Sequence, residues 1–101
     1  MIHWNCYIFL MNASSQRNGE NVFYEVKTYP DARSSIRAAL GQLIEYAYFP
    51  DTQRATVLKV VSHAPITPSV RDYMKHLRKK FSIPIFYIQF DHKKADIIEE
   101  V

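Results

Sequence analysis

Four residues have the types and spacing from which chemistry could be built. Glu25 and Lys27 stand two apart in a strand-like run, Val22 to Tyr29 (VFYEVKTY). Alternate residues of a strand project to the same face, so this acid and this amine lie about 6.6 Å apart along the chain and can act on one ligand. Gln42 and Tyr46 stand four apart in a segment of helical periodicity and share a helix face. The element after the strand can therefore bring two more polar groups over the same spot.

A carboxylate beside an ammonium suits a hard divalent cation, with the carboxylate ligating and the ammonium stabilising an anion or orienting a water. Magnesium fits this pattern because it takes oxygen ligands at about 2.0–2.1 Å, keeps several waters and bridges to substrate phosphates. A metal held this way lowers the pKa of a bound water and neutralises charge growing on an attacked phosphate. The plainer reading makes Glu25 and Lys27 a solvated strand face whose cross-strand pair contributes about 0.2–1 kcal/mol. Gln42 and Tyr46 are then a polar helix seam with the tyrosine hydroxyl wet.

The elements that must position these groups can be read in order. His3 to Met11 is apolar and aromatic almost throughout, Asn12 to Asn21 is polar with Asn18-Gly19 at its centre, and strand character returns at Val22. This predicts an antiparallel hairpin with a longish loop. Ile36, Leu40, Leu43, Ile44 and Ala47 recur at helical spacing between about Ala32 and Phe49, with Asp31 or Ser34 as the cap. Ala55 to Ser62 (ATVLKVVS) reads as a third strand, parallel to the second because a helix connects them. Thr67 and Pro68 open a helix over 68–81 whose apolar stripe is Val70, Tyr73, Met74, Leu77 and Phe81. Ile83 to Phe90 makes a fourth strand, and Asp91 to Val101 reads as a polar end with a short helical turn. The order β-β-α-β-α-β predicts an α/β fold with a mixed sheet of about four strands and flanking helices.

The 101 residues, 48% of them hydrophobic, suit one domain over 1–101 with a core of its own. The lone Cys6 forms no internal disulfide and reads as a small buried residue, which points to a cytoplasmic setting. No apolar run approaches the roughly 20 residues of a membrane span, and no leader pattern stands at the start. A net charge of +3 is compatible with a phosphate-bearing partner. His3, His63, His76 and His92 lack zinc-site spacing, and two glycines leave no phosphate-cradling loop. Lys75, His76, Arg78, Lys79 and Lys80 read first as a solvated helix face, and the strand aromatics read as core.

Glu-X-Lys at a strand end, followed by Gln-X-X-X-Tyr on a helix, resembles the core of the PD-(D/E)XK nuclease superfamily, which includes restriction endonucleases and RecB-type nuclease domains. The segment that carries the resemblance runs from Tyr24 to Tyr46, and looser similarity of element order extends from about residue 3 to 90. The resemblance implies a restriction-endonuclease-like core and a Mg2+- or Mn2+-dependent hydrolase acting on DNA phosphodiesters. Glu25 would ligate the metal, Lys27 would hold the attacking water or the scissile phosphate, and Gln42 and Tyr46 would line the site. Arg33 and Arg37, four apart at the helix start, would contact backbone phosphates.

The chain departs from the family pattern in one respect that matters. Active members carry an aspartate on the strand before Glu-X-Lys, and no aspartate precedes Asp31 here. Asn5 is the candidate equivalent, with Asn12 and Glu20 nearer the loop, and an asparagine offers a cation only a neutral carbonyl. The family also has a helix ahead of its first strand, so a reduced member or a homodimer that supplies the cover is expected. The alternative is a catalytically inactive nuclease-fold module that binds nucleic acid or self-associates.

Overall fold

A computed structural model of the chain describes residues 13–17, 20–48 and 57–101. Among these residues five strands form one mixed sheet in the order β1-β2-β3-β4-β5: β1 Ala13–Arg17, β2 Glu20–Val26, β3 Val57–Ser62, β4 Ile85–Asp91 and β5 Asp96–Glu100. Two helices, α1 Ala32–Tyr48 and α2 Pro68–Phe81, connect β2 to β3 and β3 to β4. The three central strands are parallel, and the two edge strands run antiparallel to their neighbours. The expected α/β architecture is present. No helix among the described residues is long and apolar enough to cross a membrane.

Both helices cover the same face of the sheet. Ile36, Ala39 and Leu43 of α1 and Val70, Met74 and Leu77 of α2 share one core with Leu58 and Val60 of β3 and Ile85 and Tyr87 of β4. The register pairs Phe23 with Leu58 and Glu25 with Val60, so β2 turns Phe23 and Glu25 toward the helices. The other face of β2 is also buried at Val22 and Val26.

Each helix start has a local cause. Asp31 caps α1: its Oδ2 accepts from the Ser34 amide at 2.9 Å and its Oδ1 from the Ser34 hydroxyl at 2.8 Å. These bonds hold the Asp31 carboxyl below the ordinary aspartate range. Thr67 caps α2 by accepting from the Val70 amide at 3.3 Å, with Pro68 in the first turn where no amide is needed. The end of α2 is closed by Ser82 in the left-handed region at φ 57°, with the Ile83 amide donating back to the Leu77 carbonyl at 3.2 Å.

Two sequence expectations are corrected. Residues 13–17, expected within a long loop, form β1, and the pairing of Arg17 with Glu20 leaves only two residues between the strands. Pairing with β2 overrides the weak strand preference of Ala-Ser-Ser-Gln-Arg. The strand expected over His3 to Met11 lies outside the described residues. The second correction is at the C-terminal end, where β5 replaces the expected helical turn and brings the sheet to five strands rather than four. Asp91 Oδ1 accepts from the amides of Lys93 and Lys94, and Ala95 at φ 52° completes the reversal.

Candidate functional site

β2 and α1 together position Glu25, Lys27 and Gln42. Glu25 is the penultimate residue of β2 and Lys27 follows its end, so both sit at the carboxyl end of a parallel strand. The Lys27 amide continues the sheet by donating to the Val61 carbonyl at 2.9 Å, which fixes the lysine's direction. Its Nζ lies 3.4 Å from Glu25 Oε2 and donates to Gln42 Oε1 at 2.6 Å. Three of the four residues expected to meet do so. Tyr46 lies one turn beyond Gln42 in α1, and its side chain falls outside the described residues.

The Glu25 carboxylate is in an unusual state. Its residue is 0% exposed, and neither carboxylate oxygen accepts a hydrogen bond among the described residues. Burial raises its pKa above the ordinary glutamate value, while the charge and hydrogen-bonding capacity of Lys27 oppose the shift. Buried carboxylates are as a rule hydrogen-bonded, so two bare oxygens held against a single ammonium require a reason. The plain solvated-face reading of Glu25 is incompatible with this burial.

A second polar group lies beneath α1. Ser35 and Ser62, both fully buried, share a hydrogen bond of 3.2 Å, and Ser62 Oγ also accepts from the Ala64 amide. Tyr87, fully buried, donates to the Ala64 carbonyl at 2.7 Å, and burial pushes its phenol up. Nothing in the sequence singled out these hydroxyls. Their bonds are mutually satisfied, so they fix the loop after β3 rather than add reactive groups.

Arg33 and Arg37 do not join the Glu25 cluster. At about 100° per residue, they point some 180° and 140° around α1 from Gln42. They line a groove of about 400 Å³ between α1 and α2, with Ser69, Val70 and Tyr73 on the other wall. Sequence reading missed Ser69 and placed Tyr73 in the apolar stripe; its spacing of four from Ser69, matching that of the arginines, was the available signal. Asn5 and Asn12 lie outside the described residues, and Glu20 stands at the opposite end of β2 from Glu25. Among the described residues no three His, Cys, Asp or Glu side chains cluster as a metal site. No protein-family model, curated protein or solved structure matches the chain at a significant level.

Proposed function

We propose that the chain is a metal-dependent nuclease-like protein acting on DNA phosphodiesters, with the restriction-endonuclease-like core that Glu-X-Lys and Gln-X-X-X-Tyr resemble. One observation carries the reading: at the carboxyl end of β2, Lys27 Nζ stands 3.4 Å from the Glu25 carboxylate and donates to Gln42 Oε1 at 2.6 Å, so the three side chains converge on one spot. The site's place at the carboxyl end of a parallel strand, where open α/β sheets bind ligands, supports it. So does the mixed sheet with Glu25 on a strand flanked on both sides.

Among the described residues the Glu25 oxygens accept no hydrogen bond, and once opened to solvent one carboxylate is a sufficient protein contribution for magnesium when waters and a substrate phosphate complete the shell. Glu25 would hold Mg2+ or Mn2+, and the metal when bound supplies an acidified water and neutralises phosphate charge. The chain's own residues do the rest. Lys27 presents a fixed ammonium to an anionic oxygen, and Gln42 sets its direction, so that little reorganisation is needed during reaction.

The second reading is a catalytically inactive module of the same fold that binds nucleic acid or self-associates. Complete burial of Glu25 and capture of Gln42 Oε1 by Lys27 favour it, because both withdraw oxygens from a cation. Ile97 and Ile98, 54% and 57% exposed on the edge strand β5, favour association. Calorimetric titration with manganese separates the two. The metal-dependent reading expects a heat that disappears in Glu25→Gln, whereas the inactive module gives none in either protein.

A further inference from the structure

The groove on the far flank of α1 has chemistry of its own. Arg33 and Arg37 rise about 6 Å one above the other along the helix. Both are exposed, and neither forms an ion pair with a described residue. Some of the other cations of the fold are engaged: Lys27 with Glu25, Lys59 with Glu100 at 2.8 Å and Arg71 with Glu99. Arg78 donates to the Ile85 carbonyl and stacks 4.4 Å from the centre of the Phe86 ring. The nearby Asp31 carboxylate accepts from Ser34 and also attracts Arg37, without an ion pair between them.

Opposite the arginines the wall changes character. Val70 is buried and forms an apolar floor, Tyr73 is half-buried against the core, and Ser69 places a hydroxyl beside that of Thr67 at 3.1 Å. The volume of about 400 Å³ lies within the range of small-ligand sites. A ligand that satisfies both walls carries anionic oxygens for two guanidiniums and a flat, largely apolar body for Val70 and the Tyr73 ring.

The geometry points to a second binding site in this groove, for a phosphate-bearing nucleotide unit whose phosphate engages Arg33 and Arg37 and whose base lies against Tyr73 and Val70. Ser69 contributes a hydrogen bond to the sugar or phosphate oxygens. The site stands apart from the Glu25 reading, because the two occupy opposite flanks of α1 and share no residue.

The test uses the full chain titrated with deoxyadenosine monophosphate, followed by calorimetry or amide chemical shifts. The Arg33→Gln, Arg37→Gln double variant binds it at least about tenfold more weakly, the loss expected for two charge-assisted contacts. Adenosine without phosphate binds as weakly to the wild type as the nucleotide does to that variant. Glu25→Gln leaves nucleotide binding unchanged whatever becomes of metal binding, which separates failure of this site from failure of the other. Both arginines are exposed, so circular dichroism of the double variant remains that of the wild type. Equal affinity of wild type and double variant, equal affinity for adenosine and its monophosphate, no binding at millimolar nucleotide, or loss in Glu25→Gln overturns the proposal.

Discussion

Removing the lysine from its buried carboxylate should expose how the site is held. At 3.4 Å the Lys27–Glu25 attraction is about 5 kcal/mol for an effective dielectric constant near 20, set against a burial penalty of several kcal/mol for the ions. Lys27→Met keeps the side-chain length and leaves Glu25 charged, buried and alone, which should lower unfolding free energy by about 3–5 kcal/mol at pH 8. The double variant Glu25→Gln, Lys27→Met removes both charges and should lose only about 1–2 kcal/mol, so the coupling is about 2–3 kcal/mol plus whatever Glu25→Gln costs alone. The pH dependence has a defined sign. Because the folded-state pKa of Glu25 is raised above 4.5, the folded protein keeps a proton that the unfolded chain has lost, and stability falls as pH rises through that window. Lys27→Met widens the window upward, so its penalty shrinks as pH falls toward 4.5. Glu25→Gln abolishes this part of the pH dependence. Urea unfolding followed by far-ultraviolet circular dichroism between pH 5 and 8 measures all three. A Lys27→Met penalty under about 1 kcal/mol that does not change with pH, or simple additivity in the double variant, refutes the buried-pair reasoning.

Three further outcomes concern the frame that carries the site. Thr67→Ala removes the bond to the Val70 amide and should destabilise by about 1 kcal/mol in thermal or urea unfolding. Ala95→Gly relieves a left-handed residue at φ 52° in the β4–β5 turn and should stabilise by up to about 1 kcal/mol, which the same unfolding assays read. Met74→Ala, at a fully buried core position on α2, should destabilise by about 2–5 kcal/mol.

Much of this fold was legible because its signals are local. The Thr67-Pro68 start and the Val70, Met74, Leu77 stripe gave α2 its observed bounds, 68–81, and the spacing of Ile36, Leu43 and Ile44 gave α1 to within a residue of its end. The edge strands were not legible. β1 is built from Ala, Ser, Gln and Arg, which become strand only because β2 lies alongside, and β5 is hidden by a turn in which Ala95 adopts a conformation normally left to Gly or Asn. In the site, the shared face of Glu25 and Lys27 follows from a period of two, and their contact with Gln42 from strand-to-helix order. Periodicity could not say which face of β2 the helices cover. That choice, made by the pairing of Glu25 with Val60, turns an ordinary strand carboxylate into a buried one. The same limit separated Arg33 and Arg37 from the cluster, since their rotation about α1 matters more than their nearness to Gln42 in sequence.

The most direct measurement is cleavage of end-labelled DNA by the full chain with and without magnesium, beside Glu25→Gln and Lys27→Ala proteins first shown to be folded by circular dichroism. The account predicts magnesium-dependent cleavage by the wild type that falls at least about 100-fold in either variant, the scale of losing one preorganised electrostatic group. Cleavage at equal rates in all three proteins, or none by the wild type with magnesium or manganese, would contradict it.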